Sequence, residues 1–207
     1  GSEFSFSVRA TPPYSLWDGK DYANMSDNDE SKFKFIEYHK WKFKAKIFSP
    51  LAPSAIKRTP VLMTRVEYGF LGSYNKHKRS PFETFYMGGD GMSGYSSTYA
   101  TETIGLRGYE NGSIAGNAGY NSYGYAYSRL AMELRYPFLL EPSSTIYGLV
   151  FVEAGNAWKD LKSFNPFDLK RSVGIGARIF LPMIGLMGID MAYGFDKVNG
   201  KRGGWHP

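Results

Sequence analysis

Apolar and polar residues alternate with a period of two along most of this chain, the pattern of extended strands whose two faces meet different surroundings. Lys40, Lys42, Lys44 and Lys46 alternate with Trp41, Phe43, Ala45 and Ile47. A helix would scatter those lysines around its circumference, so the run predicts a strand with one cationic and one apolar face. Phe4, Phe6, Val8 and Ala10 likewise oppose Ser5, Ser7, Arg9 and Thr11, and Leu62, Val66, Tyr68 and Phe70 oppose Met63, Arg65 and Glu67. Alternation returns where Leu130, Met132, Leu134 and Tyr136 face away from Arg129, Glu133 and Arg135. It returns again from Val173 to Leu181 and from Met187 to Gly194. With Thr145 to Ala154, the pattern predicts an all-β, antiparallel chain of about seven strands.

Prolines 12, 13, 50, 53, 60, 137, 142 and 182 fall at the ends of these runs, where a missing N–H does least harm to a ladder. Connections alternate in length. Those from Ser49 to Thr59, Leu139 to Ser144 and Met183 to Gly185 are compact, whereas Tyr14 to Ser31, Gly72 to Tyr123 and Trp158 to Asp168 are long and polar. Short turns on one side and long loops on the other are the arrangement of a transmembrane β-barrel. Phe33 to Phe48 and Arg129 to Phe138 are long enough to cross a bilayer as tilted strands. Trp17, Phe48, Phe70, Tyr136, Phe138, Phe180 and Phe195 suit its two interfacial girdles. The alternation also fits a water-soluble sandwich or a lipocalin-like barrel.

Composition narrows the chemistry. The 207 residues suit one β domain and contain no cysteine, which removes disulfides, thiolate metal sites and cysteine nucleophiles. The three histidines, His39, His77 and His206, are too far apart in sequence to suggest a metal site or a catalytic pair, so neither a metal nor another cofactor is expected. The Gly88–Gly91 and Gly116–Gly119 runs do not match a phosphate loop ahead of a helix. Basic residues give a net charge of +6 but are interleaved with apolar ones, so no nucleic-acid partner is expected. The chain reads as a non-enzyme. Gly1 to Phe4 reads either as a cloning remnant or as a native turn entering a strand.

The candidate chemistry centres on Leu106-Arg107-Gly108-Tyr109. An arginine that leaves bulk water needs anionic partners, and Glu133 and Glu153 sit at alternating strand positions that supply them. Glu153 shares its face with Tyr147, Leu149 and Phe151, which makes that face mixed. Taken alone, the motif also fits an exposed loop arginine, with Glu133 pairing with Arg129 or Arg135. For Lys40, Lys42, Lys44 and Lys46 the reading is a hydrated wall, with contact to anionic groups or passing substrate as the alternative.

Four blocks in order carry a family resemblance. Pro81-Phe82-Glu83-Thr84-Phe85-Tyr86-Met87-Gly88-Gly89 followed by Leu106-Arg107-Gly108-Tyr109 resembles the sixth extracellular loop of the BamA family, central barrels of the outer-membrane protein assembly machinery within the bacterial surface antigen superfamily. Ala131 to Pro137 and Phe151 to Trp158 resemble that family's next two strands. The resemblance implies the C-terminal half of a sixteen-stranded barrel in the bacterial outer membrane. In it, loop 72–123 folds into the lumen, Arg107 reaches Glu133 and Glu153, and the basic strand lines the lumen. It also implies outer-membrane lipid, unfolded β-barrel substrates and accessory assembly subunits as partners, with a related secretion or translocation barrel, or a passive pore or receptor, as alternatives. Leu106 and Tyr109 replace the family's usual valine and phenylalanine. On this alignment the early strands, the POTRA domains and the closing strand are expected to be missing, and the piece is expected to be inactive alone.

Overall fold

Each alternating segment becomes a strand, and successive strands pair antiparallel. A computed structural model describes residues 1–26, 30–53, 58–91, 102–114 and 123–207. The strands are β1 (Ser2–Ala10), β2 (His39–Pro50), β3 (Val61–Gly72), β4 (Phe85–Met87), β5 (Glu102–Ile104), β6 (Ala126–Glu141), β7 (Ser144–Trp158), β8 (Lys170–Leu181), β9 (Gly185–Gly194), β10 (Lys197–Val198), β11 (Lys201–Arg202) and β12 (Trp205–His206). Eight of them form one sheet in the order β1-β2-β3-β6-β7-β8-β9-β12. The sheet has one strand more than the alternation predicts, because Trp205 and His206 pair with Tyr193 and Ala192 of β9. Two residues are too few to show a period.

Two boundaries also differ from expectation. The extended run does not begin at Phe33: β2 starts at His39, opposite Ala10. Glu37 explains the delay, since its buried carboxylate accepts hydrogen bonds from Ser15 N–H at 2.8 Å and Ser15 Oγ at 2.5 Å and so ties the preceding backbone to the loop. At the other end of the sheet, β6 and β7 continue through residues 139–141 and restart at Ser144, with a register shift between Pro137 and Leu139. Proline has no N–H for the ladder, and the shift absorbs that loss.

The sheet has two unlike faces. One carries exposed apolar side chains in register from strand to strand, including Leu134 on β6, Val150 on β7, Ile175 on β8 and Met191 on β9. The other is covered by the chain between β3 and β6, and a hydrophobic core forms there from Leu71, Phe85, Met87, Ile104, Leu106 and Tyr127, among others. The core therefore lies between the sheet and its longest connection, where the site also sits.

Candidate functional site

The described residues of the β3–β6 connection are held together by backbone pairing. β4 and β5 pair in parallel, with Phe85 opposite Glu102 and Met87 opposite Ile104. Ile114 N–H donates to Met87 O at 3.1 Å, and Phe85 and Gly124 exchange backbone hydrogen bonds at 2.9 and 2.7 Å. Gly88 and Gly89, read in the sequence as turn residues, send their N–H groups to Ile104 O and Tyr109 O, each at 3.0 Å. The Gly116–Gly119 run lies outside the described residues. This framework delivers Arg107 to the covered face of the sheet.

There Arg107 is the hub of a charge network. Its Nη2 donates to Glu133 Oε1 and Glu153 Oε1, both at 2.6 Å. Its Nε donates to Glu153 Oε1 at 3.1 Å, its backbone N–H to Glu153 Oε2 at 2.9 Å, and its Nη1 to Asp190 Oδ2 at 3.1 Å. Each carboxylate has a second arginine. Arg129 reaches Glu153 at 2.8 Å, Arg135 reaches Glu133 at 2.6 Å, and Arg178 grips Asp190 with two bonds of 2.6 Å. Arg107, Glu133 and Glu153 are all buried. Burial pulls the guanidinium toward its neutral form, but the charges and hydrogen bonds of Glu153 and Glu133 outweigh it and hold the pKa above arginine's ordinary value.

Local sequence explains why these groups converge. Glu133 on β6 lies opposite Phe151 on β7, and Phe151 lies opposite Gly174 on β8. A Cβ at Gly174 would stand 2.3 Å from Phe151 Cζ, and one at Gly176 would stand 2.0 Å from Asp190 Oδ1. Bare backbone at these two β8 positions makes the room in which the Phe151 ring lies flat and Asp190 leans inward from β9. The Arg107 guanidinium stacks 3.5 Å above the centre of that ring, so Phe151, an apolar member of a seemingly mixed face, forms the floor of the site.

The flanking motif residues are specified by contact. Leu106 is fully buried in the core. Gly108 has φ +90°, and a Cβ there would come within 2.9 Å of Ser172 Cβ and 3.0 Å of Gly194 N. Tyr109 packs in the same core while its hydroxyl donates to Arg171 O at 2.6 Å, which gives the extra oxygen of tyrosine over phenylalanine a partner.

The lysine strand meets the same loop from the other side. Lys40 Nζ lies 3.1 Å from both Glu83 Oε2 and Glu102 Oε2, and 4.8 Å from the centre of the Phe85 ring. Lys42 Nζ donates to the two oxygens of Glu102 at 2.9 and 3.0 Å. Lys44 stands 4.0 Å from Glu102, and Lys46 pairs with Glu3 at 3.2 Å. The hydrated wall expected for this strand is corrected at Lys40, which is 2 % exposed because the loop lies on it.

Arg107, Glu133 and Glu153, the three residues expected from the sequence, are brought together by the fold. Phe151, Asp190, Arg129 and Arg178 join the site without a motif of their own to mark them. Parity was the available signal for Asp190, which alternates with Ile189 and Met191 and so belongs to the polar face. Among the described residues, no group of three or more His, Cys, Asp or Glu side chains is placed to hold a metal ion. The carboxylates here are satisfied by guanidinium groups. Such an arrangement fastens a loop to the sheet.

No curated protein matches the sequence. Residues 28–206, most of the chain, match the Omp85 superfamily domain. An all-antiparallel sheet with one exposed apolar face and a buried arginine network beneath its longest loop agrees with that match, and the chain belongs to the Omp85 superfamily, which includes outer-membrane protein insertion and secretion barrels.

Proposed function

We propose that this chain is the C-terminal half of a sixteen-stranded BamA-type barrel in the bacterial outer membrane, acting in the folding and insertion of other β-barrel proteins. One observation carries the reading: the sheet turns an in-register apolar face outward while its opposite face holds a long loop through a buried ionic hub. A membrane barrel needs the first face against lipid and gives the second a lumen. On this reading loop 72–123 enters from the extracellular side and braces the wall. The first and last strands of the whole barrel meet at a weak seam, where unpaired N–H and C=O groups template an incoming strand. Pairing at that edge matters in lipid because each unsatisfied backbone group there costs several kcal/mol. The work is done by edge pairing and lateral opening without bond chemistry or a cofactor. Its partners are outer-membrane lipid, unfolded β-barrel substrates and accessory assembly subunits.

The test uses the full-length protein in lipid vesicles with an unfolded β-barrel substrate. Accelerated insertion of the substrate into the vesicle membrane is expected. Delivery of a substrate through the membrane into the vesicle interior would instead make it a secretion barrel. Steady ion conductance with no effect on insertion would make it a passive pore.

A further inference from the structure

The loop carries charges of both signs, and they go to different strands. One of its arginines, Arg107, meets carboxylates on β6, β7 and β9, whereas two of its carboxylates, Glu83 and Glu102, meet Lys40 and Lys42 on β2. Arg107 is only five positions along from Glu102, which is at most roughly 18 Å of extended chain. β2 and β7 are three strand spacings apart, roughly 14 Å across the sheet. The pairing also puts Lys46, not Lys42, on the rung of Glu153, by way of Arg65 and Ala131. The segment must therefore cross the sheet and descend along it. The short segment, with the side chains at its two ends, spans that diagonal.

We propose that Lys40 and Lys42 are positioning residues for the Arg107 hub: by holding Glu83 and Glu102 they fix β4 and β5 over β2 and so set where the short segment that follows carries Arg107 across the sheet. The loop is thereby a two-point brace whose opposite charges prevent it from seating the wrong way round. Seated in reverse, Arg107 would lie among the lysines and Glu102 among the acids, and each like-charge contact would oppose it. Burial of Lys40 strengthens the argument, because a buried ammonium without a partner is strongly destabilising and its partners come from the loop. The inference rests on the proposed function only in taking the Arg107 contact as the one that matters.

The reporter is the Arg107 backbone N–H, which donates to Glu153 Oε2 at 2.9 Å. Hydrogen exchange is measured on the full-length protein in detergent or nanodiscs for peptides covering 104–109 and, as a control, 145–154 in β7. Glu102→Lys, a loop change that puts a cation beside three lysines, is expected to speed exchange in 104–109 by roughly tenfold or more. Glu102→Gln should do the same more weakly, Lys42→Arg should leave it within about threefold of the parent, and the β7 peptide should not move in any variant. Unchanged exchange in 104–109 on Glu102→Lys overturns the proposal, as does a rise shared equally by β7, which would mark general destabilisation. The assay contains no substrate protein, so its failure is separate from failure of the insertion assay.

Discussion

Replacing Arg107 with alanine is expected to release the loop from the sheet. The substitution removes every side-chain bond of the hub at once and leaves Glu153 with Arg129, Glu133 with Arg135 and Asp190 with Arg178. Deleting one partner of a buried ion pair costs about 3–5 kcal/mol when the other charge is left alone; here every carboxylate keeps a second arginine, so the loss lies toward the lower end of that range. The expected observation on the full-length protein is protease cleavage within 72–123 at a rate raised by roughly a hundredfold, with the sheet intact. Arg107→Lys should recover little of the loss, because an ammonium is a point charge. It can neither reach Glu133, Glu153 and Asp190 together nor lie flat on Phe151. Parent-like cleavage in the alanine variant would show that the hub does not hold the loop.

Gly108→Ala is expected to do comparable damage with every charge left in place. The residue has φ +90°, a region that costs an L side chain about 1–2 kcal/mol, and the new methyl would press on Ser172 and on the backbone of Tyr193 and Gly194. Overpacking against such a surface adds about 1–3 kcal/mol, since sheet backbone cannot step aside as a flexible side chain can. The same substitution at Gly19, with φ +65° and nothing within 4 Å, supplies the control for strain alone. Loop proteolysis separates the two: Gly108→Ala should approach Arg107→Ala, and Gly19→Ala should resemble the parent. Equal, small effects at both glycines would mean that the loop does not lie close against β8 and β9.

Strands were legible because a period of two leaves a mark on every residue. Lys40 to Ile47 shows it plainly, and the observed β2 contains that run. The run from Phe33 to Tyr38 failed for a reason that no local pattern holds, the grip of Ser15 on Glu37 from 22 residues upstream. Of the site, the motif and its two glutamates could be read, because strand parity put Glu133 with Arg129 and Arg135. Phe151 was obscure, since an aromatic beside Glu153 looks like a flaw in a polar face until the loop turns that face into an interior. Asp190 was on the expected side, but its approach to Arg107 depends on two glycines of an intervening strand. Lys40 reads from the sequence as a wetted residue because its partners, Glu83 and Glu102, are 43 and 62 residues away and in a connection with no period of its own.

Arg107 and Glu153 hold loop and sheet together as a pair, and a double-mutant cycle measures that pair directly. Loop-release free energies would be taken from hydrogen exchange on the full-length protein for the parent, Arg107→Ala, Glu153→Gln and the double variant. A coupling of at least about 1.5 kcal/mol is predicted, with the double variant little worse than either single one. Additive losses, with a coupling within about 0.5 kcal/mol of zero, would contradict it.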